Sequence, residues 1–193
     1  RAWSAYALAD LTPGFIEDTT WYVDNPSLVM TYSGIQPDVL FTMGHPDQLD
    51  NLLQQIPSGL FQYSSKHDHI DVIQKHMRLN STLPMKRMVL DPELFPLSRE
   101  FNTVPLTRTH IDDIFNLFEG CPDQPDAFTP AQLDQGAFFG IRMQGKLVSM
   151  AGTHVVSQEA GIAAVGNVFT APDFRGRGLA TRTTGSVTAH LLG

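Results

Sequence analysis

Arg175, Gly176, Arg177 and Gly178 stand together between an apolar run and a helix-like run, in a chain that is otherwise acidic. Their types and spacing suit one kind of chemistry, the holding of a phosphate chain. The first turn of any helix carries backbone N–H groups without intrahelical partners, and its dipole favours negative charge. Glycine there lets a ligand approach the main chain closely, and the two arginines add positive charge at the same end. The stretch fits neither GxxxxGK[ST] nor GxGxxG, which argues against an NTPase or a Rossmann dinucleotide site. The competing reading of RGRG is a nucleic-acid patch. With 13 Lys and Arg against 20 Asp and Glu, the net charge is −7, and such a surface repels nucleic acid over most of its area.

The surrounding pattern supplies the elements that must position this loop. GIAAVGNVFT (161–170) reads as the strand entering it. LATRTTGSVTAHLL (179–192) reads as the helix leaving it, with Leu179, Val187 and Leu191 on the packing face. Upstream, FNTVPL (101–106) reads as a strand and THIDDIFNLFEG as a helix, with Thr109 as N-cap and Asp112 at the capping-box position. TPAQLDQ follows as a short helix with Pro130 at its first position. AFFGIRM and KLVSMAGTHVVS are strands joined by a Gln-Gly hairpin turn. The predicted order is β-α-α-β-β-β-α.

The run Arg175-Gly-Arg-Gly178-Leu-Ala180, entered through NVFTAPDF, resembles the acetyl-CoA signature RxxGxG or RxxGxA of the GCN5-related N-acetyltransferase (GNAT) superfamily. The element order over residues 101–193 agrees with that resemblance. It implies an α/β GNAT fold with a mixed, mostly antiparallel sheet flanked by helices. It also implies direct transfer of an acetyl group from acetyl-CoA to an amine of a small molecule or peptide. Val168, Phe169 and Thr170 would lie on a splayed strand whose main chain pairs with pantetheine. Gly176, Arg177, Gly178, Leu179, Ala180 and Thr181 would wrap the pyrophosphate through backbone N–H groups, with Arg175 shaping the loop. The family's proton-donor tyrosine belongs to a later helix, so the C-terminal end of the domain is expected beyond Gly193.

Acyl transfer needs a neutral amine, hence a general base or a water held by one. Where some family members carry a glutamate base, the aligned residue is Ala164. Two other residues are candidates. His154 has a suitable intrinsic pKa, or is a hydrogen-bonded strand histidine. Asn167 holds a water or the substrate, or satisfies a strand bulge. With no carboxylate at 164, a non-catalytic acyl-CoA-binding or regulatory domain is the alternative.

The first half reads β-β-β-α-β-α-β. WYVD and LVMTYSG form a hairpin across NPS, and PDVLFTMG is a third strand. HPDQLDNLLQQI is a helix, GLFQYSS a strand, HIDVIQKHM a helix and MKRMVL a strand. Its strand-strand-strand-helix run repeats that of the second half, which predicts two tandem GNAT-like halves, 1–97 and 98–193, the first degenerate. In its corresponding turn, TMGHPDQLDNLL, Pro46 removes a donor and Asp47 adds negative charge. His67, His69 and His76 are read as a solvated helix entry with Asp68 as N-cap, and no metal site is expected. Trp3, Trp21 and Tyr22 are read as core or inter-domain packing, with the lining of a substrate pocket as the alternative. The lone Cys121 fits a reducing cytoplasm, and no apolar run approaches a membrane span. Neither nucleic acid nor membrane is an expected partner, and a homodimer is kept as a candidate assembly.

Overall fold

The computed structural model describes residues 3–4, 7, 16–96, 100–125 and 128–193. The chain divides into two compact units, Arg1–Met88 and Val89–Gly193. The boundary predicted between residues 97 and 98 lies outside the described residues.

In the first unit, β1 (Thr19–Asp24), β2 (Ser27–Tyr32) and β3 (Asp38–Met43) form an antiparallel meander. Strand β4 (Phe61–Ser64) joins β3 in parallel. A parallel neighbour requires a crossover, and helix α1 (Pro46–Leu53) provides it. Leu49, Leu52 and Leu53 of α1, spaced three and four apart, bury against Val29 and Leu40 of the sheet, and α2 (Ile70–His76) adds Val72 and Ile73. On another core cluster of the unit, Trp3 stacks on Phe41 at 5.4 Å and donates from Nε1 to Thr42 O. Trp21 packs in that cluster and Tyr22 against the leucine cluster, as core aromatics.

Three readings of this unit are corrected. MKRMVL forms no strand; Met85 and Met88 are among its most exposed residues, and Arg87 ties it to Trp3 O and Ser64 Oγ. A short apolar-rich run makes a strand only where its main chain finds a partner strand. Asp68 is not the cap of α2, because a 3₁₀ turn, His67–His69, leads into the helix and puts His69 at the N-cap. The entry is solvated at His67 and Asp68 but not at His69, which is fully buried, Nδ1 on Thr42 Oγ1 at 2.9 Å and Nε2 on Gly44 O at 3.1 Å. Burial holds its pKa below the ordinary imidazole value.

The second unit runs β5 (Val104–Pro105), α3 (Ile111–Phe118), α4 (Gln132–Gln135), β6 (Phe139–Met143), β7 (Lys146–Ser157), β8 (Ile162–Thr170) and α5 (Leu179–Leu192). The predicted element order holds. All three strand pairings are antiparallel, in the order β5-β6-β7-β8. Gln144 and Gly145 turn the β6–β7 hairpin with positive φ at both positions. Strand β5 is only two residues long, and neither Thr109 nor Asp112 takes its predicted capping place, because His110 stands at the N-cap of α3. Thr107 forms a capping box with His110 on a 3₁₀ turn that precedes the helix. Helix α3 packs Ile114, Leu117 and Phe118 with Met150 and Phe169, while α5 packs Val187 with Ala137 and Ala151 and Leu179 with Ile141 and Val148.

Candidate functional site

Strand β8 is the last strand of its sheet, and among the described residues nothing pairs with its outer flank. Ala171 N–H donates to Val148 O at 2.9 Å. Antiparallel alternation then turns the main chain of Phe169 toward β7 and the main chains of Val168 and Thr170 toward the open flank. The three residues predicted as one group thus divide. The Phe169 ring is buried edge-on against Phe118 at 5.3 Å, whereas Val168 is 42% exposed.

The loop that follows is braced by its own arginines. Arg175 Nε donates to Thr170 O at 2.9 Å, Nη2 pairs with Asp123 at 2.7 Å, and the guanidinium lies over the Phe169 ring. Arg177 Nη2 donates to Asp173 O at 3.0 Å and its guanidinium lies over Phe174. Both side chains fold back on the loop and leave its main chain uncovered. Gly176 and Gly178 have φ of +74° and +70°, the left-handed region that side chains disfavour. A Cβ built on either meets nothing within 4 Å, so conformation demands glycine while the space in front stays empty. Gly178 is the N-cap of α5 and no side chain caps the helix. Among the described residues, its first-turn N–H groups therefore have neither intrahelical nor side-chain partners. Leu179 anchors the turn in the core, while Ala180 is half-buried and Thr181 exposed.

Sequence reasoning missed what holds α5 at this angle. Arg182 donates from Nε to Phe101 O and from Nη2 to Asn102 O, both at 2.9 Å. Ser186 Oγ meets Thr103 Oγ1 at 2.7 Å. Gly185 admits the Phe101 ring so closely that a Cβ would sit 2.3 Å from it. The only signal of this in the sequence is the glycine within a helical run.

His154 and Asn167 both mark irregularities in the β7–β8 ladder. Gly152 pairs with Gly166 and Met150 with Phe169, so Asn167 and Val168 together oppose Ala151. Asn167 takes the bulge with φ +49°, a conformation asparagine tolerates better than most residues. Its Nδ2 donates to Gln132 Oε1 on α4 at 3.0 Å and to Thr153 O at 3.2 Å, and Oδ1 is buried without a protein partner. His154 is the extra residue of a second shift, on β7, and its imidazole fills the place a Cβ on Gly166 would need. Ala164 pairs with Val155 upstream of both. In the first unit, His76 bonds Asp50 at 2.6 Å, which together with Lys75 holds that carboxyl below its ordinary pKa.

The model of the family described as Acetyltransferase (GNAT) family matches residues 105–190. Among solved structures, a GCN5-related N-acetyltransferase from Kribbella flavida aligns over 96% of this chain and 80% of its own, with TM-score 0.62 and 18% identity. A GCN5-related N-acetyltransferase-like protein from Streptococcus suis 89/1591 aligns over 97% and 83%, with TM-score 0.54 and 18% identity. A GNAT-family protein from Novosphingobium aromaticivorans DSM 12444 shares 31% identity over 46% of this chain; the match spans only 38% of that protein, with TM-score 0.40. A comparison with curated proteins finds no match. The chain has the α/β GNAT fold, and its residues 105–190 match the GNAT acetyltransferase family.

Proposed function

We propose that the second unit binds acetyl-CoA at the β8–α5 loop and transfers its acetyl group directly to an amine. The observation that supports this most is the pair of left-handed glycines at an uncapped helix N-terminus, facing empty space beside an open strand edge. A diphosphate fits there: several N–H donors converge, no side chain obstructs them, and the helix dipole supplies the sign. Gly176 to Thr181 would hold the phosphates, and Val168 and Thr170 would offer main-chain groups to the pantetheine amides. Of those groups, Thr170 O is already shared with Arg175. Arg175 acts on the loop, its charge largely answered by Asp123.

The bound co-substrate supplies an activated thioester carbonyl. The chain supplies orientation along β8 and main-chain N–H donors that can stabilise charge on that carbonyl oxygen. Asn167 shapes the bulge that turns Val168 outward, and the neighbouring His154 is the group of this pair able to take the proton from an ammonium. GNAT acetyltransferases act on small-molecule or peptide amines, and an amine is the acceptor proposed for this chain, in a cytoplasmic setting and without nucleic acid. The first unit is proposed as a degenerate copy of the same fold, and a homodimer as the assembly, checked by sedimentation.

Calorimetric titration with CoA tests the cofactor half of the reading, and silence of the wild type would overturn it. Thiol release from acetyl-CoA across a panel of amines tests the reaction. Tight CoA binding with no turnover on any amine would favour a non-catalytic acyl-CoA-binding domain.

A further inference from the structure

The outer side of α5 carries a cleft of about 460 Å³, within the ~300–1,000 Å³ typical of small-ligand sites. It begins at Ala180 and Thr181, the last residues of the proposed phosphate cradle, and continues along the helix past Thr184 and Thr188. Its far wall is Phe95, Pro96 and Phe101, the two phenyl rings stacked 6.2 Å apart at 29°. Thr181, Thr184 and Thr188, spaced three and four apart, share one helix face; the Thr188 hydroxyl donates to Thr184 O at 2.9 Å and so offers a lone pair, while those of Thr181 and Thr184 can donate and accept. The Phe101 ring is fixed from beneath by its close fit on Gly185. A flat heteroaromatic ring with hydrogen-bonding edges matches a groove with aromatic rings on one wall and hydroxyls on the other.

A second cleft, about 300 Å³, lies on the other flank of α5 and has no aromatic wall. Its two arginines are committed, Arg182 to main-chain oxygens and Arg142 to Asp113. It offers neither a stacking surface nor a free cation.

We infer that the groove between Phe95, Phe101 and the threonine face of α5 holds the adenosine end of the acyl-CoA. This rests on the acyl-CoA reading of the glycine loop and assigns the nucleotide a place that reading leaves open. The phosphates would turn at Gly178, and the base would lie along α5 instead of in solvent.

The test titrates CoA and 4′-phosphopantetheine, which lacks the adenosine, against wild type, Phe95→Ala and Thr184→Trp. Removing the ring or filling the groove should each weaken CoA about tenfold, a loss in the range measured for base–aromatic stacking, and leave 4′-phosphopantetheine unchanged. The unchanged ligand also reports that each variant is folded. CoA affinity unaltered in both variants would overturn the inference while the acyl-CoA reading stands. So would an equal loss of both ligands in both variants. If wild type binds neither ligand, the acyl-CoA reading falls, and the inference with it.

Discussion

The two units contain the same local design, a strand, a glycine turn and a helix, and finish it in opposite ways. In the first, Gly44 has φ +119° and a Cβ there would lie 2.0 Å from Ser27 Oγ and 2.5 Å from Ser27 Cα. Ser27 Oγ accepts the His45 N–H at 2.9 Å and donates to Gln48 Oε1 at 2.7 Å. Pro46, the first residue of α1, has no N–H, and Gly44 O is taken by His69. The strand entering the turn, β3, has partners on both sides. In the second unit the glycines face empty space, the helix is uncapped and the strand has an open flank. A turn whose donors and space are used internally stabilises its unit. A turn that leaves them free can bind something else.

The largest effect that would break this contrast is on binding. Gly178→Glu forces a side chain and a negative charge into the loop and should weaken CoA by on the order of 100-fold, the loss of about two charge-assisted hydrogen bonds. Unchanged affinity by calorimetry would place the cradle elsewhere. Next is Gly44→Ala, which meets backbone at a strained φ and should destabilise the first unit by about 3 kcal/mol in urea melts while CoA affinity holds. A drop in CoA affinity would show that the first turn is not a purely internal one.

A smaller effect concerns pH. Because burial lowers the folded-state pKa of His69, the unfolded chain takes up a proton first as pH falls through the ordinary imidazole range. Stability of the first unit should be full above that range and decline below it, down to the depressed folded value. His69→Gln should flatten that limb in melts taken from pH 8 to 5, and an undiminished slope would sink the assignment. The smallest change is expected for Asp123→Asn. Its pair with Arg175 is about half exposed on both sides, so melts should move by less than about 1 kcal/mol.

Much of the second unit was legible because its signals are local. Leu179, Val187 and Leu191 fall on one helix face, and Gln144-Gly145 can only be a turn. The same logic failed for MKRMVL, whose apolar residues do not join a sheet, and for Asp68, displaced by a 3₁₀ turn that no short pattern announces. His69 looked solvated because its sequence neighbours are charged, yet Thr42 and Gly44, far away in the chain, enclose it. At the candidate site, residues 168–170 read as one run, and only the ladder register separated Phe169 from Val168 and Thr170.

The sequence by itself determined the glycine turn before α5. A left-handed glycine pair before a helix start is a property of consecutive residues, set by which backbone conformations lack a Cβ clash. Tertiary structure decided everything that depends on what comes near it. It left the glycines of one turn facing empty space and filled the other with Ser27. It put a bulge at Asn167, and it brought Phe95 and Phe101 alongside α5. Those outcomes rest on contacts between residues distant in the chain, where packing overrides local preference.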